Sequence, residues 1–359
     1  MLEKKILIVG DWAYDIYEAA LYNAFLELGC NVDKYSYGNF FHYANHPSIY
    51  KGNLPKIKEL WLKFQYKYRI GPVLYDLNIK LINIATQYDV VFLYRCVHIF
   101  PKTLEKIKRL NPQIKIVCYN NDDPFSKDYS KYVWRNYFAC LKWCDTIYSF
   151  REKNIQDYKK LEIDAKLLRA YYRKQYNYPI LESNKSFDVV FIGHFENDGR
   201  DKYVYEILKA GINIQIFGPR WEQSGYYDFF QKNMKKIVPQ YGKDYNKCIN
   251  ESKIALVFLS KKNNDTYTRR NFEIPATRTF MLSEFSDDLN NNLFKKDFEC
   301  GYFRNEKDCV EQIKYYLSHE KEREEIASNG HIRNKENEVI ERAKFILTDI
   351  YQLFLWKNN

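Results

Sequence analysis

Short, almost wholly apolar runs recur along this 359-residue chain in two series. Each gives way to a polar or glycine-bearing loop and then to a segment with helical spacing. The first series holds KILIVG (5–10), a run at 32–37, YDVVFLY (88–94) and IKIVCY (114–119); a short run at 146–149 closes it. The second holds FDVVFIG (187–193), IQIF (214–217), IALVFL (254–259) and TFML (279–282). Runs this short and this apolar are buried on both faces, the pattern of parallel strands covered by crossover helices. The fold expected is α/β, with two Rossmann-like βαβ domains.

The length supports two domains with full cores. Composition is globular, with 46% hydrophobic and 28% charged residues, so a disordered chain is excluded. The first loop, GDWAYD, lacks G-x-G-x-x-G, which disfavours a nicotinamide enzyme. Eight cysteines occur without C-x-x-C or paired metal spacing, so buried free thiols are expected and no metal. The N-terminus reads as a strand rather than a signal peptide, and no apolar run spans a bilayer, so a cytoplasmic location is expected. A net charge of +10 suits an anionic substrate or an acidic membrane surface. Nucleic acid is not expected, because no helix-turn-helix, zinc-finger or RNP signature appears.

Ligands of parallel sheets gather at the carboxyl ends of strands. Asp11 stands there after the first strand, either as a catalytic group or as the cap of the helix over 16–28. Asp122 and Asp123, in NNDDP after the run at 114–119, read as a general base or acceptor-positioning pair, or as a turn. Residues 39–86 interrupt the alternation as an insertion. Within it Ile57, Leu60, Trp61, Phe64 and Tyr68 fall at helical spacing, with Lys56, Lys58, Lys63 and Lys67 on other faces. That pattern over 56–70 is either a peripheral membrane contact or a helix packed on its own domain.

The polar stretch near 172–185 predicts the boundary, giving domains 1–178 and 179–337 and a terminal helix over 338–359, read from the pattern at 332–356. In the second half, Gly193 ends a strand where an anion can approach the backbone. His194 and Arg200 follow as candidate phosphate partners. The most informative stretch is 252–284, SKIALVFLSKKNNDTYTRRNFEIPATRTFMLSE: strand, loop, short helix, strand, with Pro275 tolerated in the first helical turn. Arg269 and Arg270 at a helix start favour an anion, and Glu273 one turn on can accept hydrogen bonds from sugar hydroxyls. A surface ion pair between an arginine and Glu273 is the plainer reading.

The block T-x-R-R-x-F-E-I-P-A-x-x-T-F-M-L-S-E, followed by DCVEQIKYYLSHEKEREEIASNG, resembles the CgeB-like (spore-maturation-protein type) glycosyltransferases of the GT-B superfamily, near glycosyltransferase group 1. The resemblance covers roughly 187–335. It implies two domains facing each other across a cleft, a last helix returning to the first domain, a nucleoside-diphosphate sugar as donor and no cofactor or metal. It places Glu273 on the donor ribose and Arg269, Arg270 and Thr268 near the donor phosphates or sugar. Gly193, His194 and Arg200 become the phosphate loop, and Val238 and Tyr241 lie where the nucleobase is held. Where many relatives have glycine this chain has Arg278, so backbone approach there is expected to differ. The function implied is hexosyl transfer to a glycan or lipid-linked acceptor in surface polysaccharide synthesis, with retention favoured by the neighbourhood. The alternatives are a non-catalytic nucleotide- or nucleic-acid-binding module and a nucleotide-sugar epimerase of the same fold.

Overall fold

The computed structural model describes residues 4–46, 49–128 and 130–355. The chain divides into two compact units: one runs to Arg169 and resumes at Val339, the other is Ala170–Glu338.

In the first unit the order is β1 (Lys5–Gly10), α1 (Glu18–Glu27), β2 (Asn31–Ser36), α2 (Lys56–Tyr68), α3 (Pro72–Ala85), β3 (Val90–Tyr94), α4 (Pro101–Leu110), β4 (Lys115–Asn120), α5 (Lys131–Leu141), β5 (Thr146–Ser149), α6 (Glu152–Lys159) and β6 (Lys166–Leu167). The sheet is wholly parallel, in the order β2-β1-β3-β4-β5-β6. β3 and β4 are buried along their whole length, as their unbroken apolar sequence requires. The insertion at 39–86 becomes the pair α2 and α3.

The second unit holds β7 (Phe187–Ile192), α7 (Arg200–Lys209), β8 (Ile214–Phe217), α8 (Tyr227–Asn233), α9 (Gly242–Asn250), β9 (Ser252–Val257), α10 (Arg270–Ala276), β10 (Phe280–Glu284), β11 (Gly301–Phe303), α11 (Glu306–Ser318) and α12 (Glu320–Arg333). Its parallel sheet runs β11-β10-β9-β7-β8. In both sheets the chain reverses direction at the first strand: β1 lies between β2 and β3, β7 between β8 and β9. Loops leaving the carboxyl ends on either side of such a switch point part and leave a crevice. Each unit thus has one place predisposed to hold a ligand.

Three expectations shift. The division falls at 169/170, earlier than the stretch near 178, because the following segment is held by the second unit. The Tyr178 amide donates to Asn246 at 3.2 Å and the Ile180 amide to Asn250 at 2.7 Å, both on α9. The pattern read from 332 becomes helix only at Val339, beside the expected boundary at 338, since α12 runs on to Arg333 and a 3-10 turn, Asn334–Asn337, intervenes. This last helix, α13 (Val339–Leu355), packs on the first unit: Ala343, Ile346 and Ile350 are buried, and Tyr148 on β5 donates to Asp349 at 2.6 Å. Pro275 lies in the last turn of α10 rather than the first.

Candidate functional site

In the second unit the switch point lies between the loops after β7 and β9. Gly193 sits where β7 ends. Its amide donates to the Phe217 carbonyl at 2.8 Å, and its own carbonyl accepts from the Trp221 indole at 2.9 Å. A Cβ on Gly218 would come within 2.0 Å of that carbonyl, and one on Gly193 would meet Phe191 at 2.7 Å. Both glycines are therefore required by close approach. Trp221 is buried and plugs the space behind this loop.

Arg270 opens α10 and reaches across to this loop. Its Nε donates to the Ile192 carbonyl, and a Cβ on Gly193 would lie 3.1 Å from its Nη2. The guanidinium is thereby fixed beside the end of β7. Thr268 and Asn271 set the helix start: the Thr268 amide donates to Asn271 Oδ1 at 2.8 Å, and the Arg270 amide to Thr268 Oγ1 at 3.2 Å. Arg269, at the N-cap, lies over the Tyr171 ring at 5.0 Å. Glu273 does not pair with either arginine in the manner of a surface salt bridge; it accepts from the Tyr245 hydroxyl of α9 at 2.7 Å. Burial, then the Glu273 charge, push the Tyr245 phenol well above its ordinary value, so it remains a proton donor to that carboxylate.

His194 and Arg200 are both engaged by neighbours within the loop after β7. His194 Nε2 lies 2.9 Å from Glu196, whose other oxygen accepts from Ser260, after β9, at 2.8 Å. Burial alone would raise the Glu196 carboxyl; the His194 hydrogen bond, the Arg200 charge and the Ser260 hydroxyl outweigh it and bring it to about 2. Arg200 is buried, with Nε at 2.9 Å and Nη2 at 2.6 Å from Asp198 and Nη1 at 2.9 Å from the His194 carbonyl. Its fork is occupied within the loop, so it holds the loop's shape. Val238 accepts from the Gly218 amide at 3.2 Å, which ties its segment to the end of β8, and Tyr241 beside α9 is exposed.

Arg278 explains itself by backbone. Its φ is +59°, in the left-handed region, immediately after the Thr277 cap of α10. That is the helix-stop position where glycine is favoured. The arginine that the resemblance contrasts with glycine therefore sits where the helix ends.

In the first unit, the loops after β1, β2 and β3 hold four non-glycine residues with positive φ: Trp12, His42, Tyr43 and Arg95. Strain of this kind gathers at functional sites. Asp11 follows β1 and does not cap α1. Its Oδ2 lies 2.6 Å from His46 Nε2 and accepts from the Tyr66 hydroxyl of α2 at 2.7 Å. Burial would raise this carboxyl, but His46, then Tyr66, outweigh it and hold it below its usual range. The close approach needs Gly38, where a Cβ would lie 2.5 Å from Asp11 Oδ1. Beneath the loop, buried Glu18 accepts from the Asp11 amide at 2.8 Å. Its burial, and then the Asp11 charge, raise it to about 7.

The acid pair after β4 separates. Asp122 is half-buried and ion-paired with Arg95 at 2.8 Å, joining the loop after β3. Asp123 is fully buried, accepting from the Phe125 amide at 2.9 Å and the Asn154 amide group at 2.8 Å. Asp123 is a turn-holding residue, and the general-base expectation for it is corrected. His46, Tyr66, Tyr245 and Glu196 carried no signal of their own in the sequence. The only hint at His46 was the break in alternation at FFHYANHP. Among the described residues no three His, Cys, Asp or Glu side chains converge as metal ligands.

No curated protein matches the chain in sequence. Solved structures do match in fold. HepE from Anabaena, in complex with UDP and glucose, superposes with a TM-score of 0.68 at 10% identity, covering 97% of this chain and 100% of its own. Sucrose-phosphate synthase from Thermosynechococcus elongatus gives 0.67 at 12% identity, covering 98% and 99%. A glycosyltransferase from Rickettsia africae gives 0.68 at 10% identity, covering 99% of each chain. These likenesses establish the GT-B fold. Residues 200–348, which contain Arg269, Arg270 and Glu273, match the family model described as glycosyl transferase-like, so the chain joins a glycosyl transferase-like sequence region to the GT-B fold.

Proposed function

We propose that this protein is a glycosyltransferase of the CgeB-like type. It moves a hexosyl group from a nucleoside-diphosphate sugar to a hydroxyl of a glycan or lipid-linked acceptor, without a resident metal, in surface polysaccharide or glycoconjugate synthesis. The observation that carries this reading is Arg270, locked against the end of β7 at the switch point, with Glu273 one turn further along and oriented by Tyr245. As the anomeric carbon–oxygen bond breaks, its electron pair leaves with the diphosphate. Arg270, with Arg269 beside it at the N-cap, stabilises that growing charge more than it stabilises the bound donor. Glu273 accepts hydrogen bonds from the donor ribose, and Tyr245 is a positioning residue that keeps it turned to do so. In the first unit, Asp11 with its partner His46 is the candidate to take the acceptor's hydroxyl proton.

Thermal shift with UDP, GDP, ADP and CDP tests the reading. One of them raises the melting temperature, because a ligand at a hundred times its Kd stabilises the native state by about 2.7 kcal/mol. Glu273→Ala removes most of that shift and most transfer of the cognate sugar. A shift that survives Glu273→Ala and falls steeply with salt would instead mark a basic nucleotide-binding module.

A further inference from the structure

The helix α2 presents more apolar surface to solvent than it buries. Of its thirteen residues only Leu62 and Gln65 are buried. Ile57 is 85% exposed, Leu60 58%, Trp61 48%, Phe64 42% and Tyr68 40%. Their spacing of i, i+3, i+4, i+7 and i+11 confines them to one stripe about 100° wide, turned away from the buried face. The stripe is ordered by its own rings: Trp61 stacks on Phe64 with centroids 5.6 Å apart and planes at 9°, and Phe64 lies 4.8 Å from Tyr68. A contiguous apolar patch of this kind marks an interaction site.

Lysines border it. Lys56, Lys63 and Lys67 lie along one edge at i, i+7 and i+11, and Lys58 stands on the other side; Lys67 Nζ sits 5.4 Å from the Tyr68 ring. Glu59, the helix's acid, turns away from the stripe and is held by Lys63 and the Tyr50 hydroxyl. A second copy of this chain packed on the same face would bring these lysines against their own counterparts, which like-charge repulsion opposes. An anionic bilayer meets both requirements. Acyl chains take the stripe, tryptophan and tyrosine rings suit the headgroup level, and lysine stems reach lipid phosphates. No described helix is long and apolar enough to cross a membrane, so the contact is in the interface plane. We infer that α2 docks the first unit onto an anionic lipid surface, with Ile57, Leu60, Trp61, Phe64 and Tyr68 inserted and the bordering lysines on the headgroups. This goes beyond the transfer reaction and is tested without turnover.

The protein is floated through a density gradient with phosphatidylcholine vesicles and with vesicles mixing phosphatidylcholine and phosphatidylglycerol. It rises with the mixed vesicles only. Lys56→Gln with Lys67→Gln weakens that binding roughly thirty-fold, two lysines' worth of surface attraction. Trp61→Ser with Phe64→Ser abolishes flotation at an unchanged melting temperature, because both side chains are already exposed. Wild-type protein that does not rise with the anionic vesicles overturns the inference, as does undiminished flotation of the serine variant. A wild type that sediments as a dimer and becomes a monomer in the serine variant, with lipid affinity unmoved, overturns it in favour of self-association.

Discussion

Glu18 lies buried under the loop that carries Asp11, and its carboxyl is raised to about 7 by burial and the neighbouring charge. The sign follows from linkage. The folded state binds this proton more tightly than the unfolded chain, so the stabilisation is complete below pH 4.5 and is lost as pH rises through about 7. Asp11 is held below its ordinary value and stays charged throughout that window, so it adds no slope. Glu18→Gln keeps an oxygen for the Asp11 amide and removes the titration. Wild-type stability relative to this variant should fall by roughly 3 kcal/mol across the window, measured by urea unfolding at each pH. In the second unit, Tyr245→Phe removes the hydroxyl that orients Glu273. Donor affinity should weaken roughly ten-fold by calorimetry, in keeping with loss of a hydrogen bond to a charged group. At this scale the sequence was unevenly legible. Asp11 and Glu273 stand at a strand end and in a helical first turn, positions that a linear reading can find. His46 and Tyr245 could not be found so, because each meets its partner only after the chain has turned back. The roles of Asp123 and Arg200 depend on burial and on partners such as Asn154, 31 residues from Asp123, which spacing does not reveal.

Elements were the most readable level. The apolar runs became parallel strands within a few residues of their expected places, since burial on both faces leaves little choice of residue. What escaped was small or without strong periodicity: three-residue β11, seven-residue α8, and the 3-10 turn that parts α12 from α13. α10 shows why a motif is not a geometry. Seven residues long, with Pro275 in its last turn and Arg278 in the left-handed region, it ends under strain. Arg278→Gly should raise stability by about 0.5–1 kcal/mol, because the αL conformation costs a side-chain-bearing residue about 1–2 kcal/mol and glycine's greater chain entropy offsets about 0.5–1 of that. Denaturant midpoints at unchanged slope would measure it. A loss of donor affinity in the same variant would return Arg278 to the ligand. α2 carried its ambiguity openly in the sequence, and the structure leaves its Trp61–Phe64–Tyr68 ladder exposed.

On the scale of the whole molecule, the two units differ in how they are built from the chain. The second is one continuous stretch, Ala170–Glu338, with its own buried core around Val189, Ile254 and Leu282. Expressed alone, that stretch should fold and retain nucleoside-diphosphate binding, read by thermal shift. The first is completed by α13, whose Asp349 receives the Tyr148 hydroxyl and the Lys166 ammonium, the latter at 3.0 Å. The ribosome therefore delivers the pieces of the earlier unit at two widely separated times. Residues up to Arg169 must wait, one apolar flank uncovered, while everything through Glu338 is made and can already have folded. The usual rule that the part synthesised first finishes first is reversed here, and a chaperone holding the nascent chain would find its binding surface on the older half.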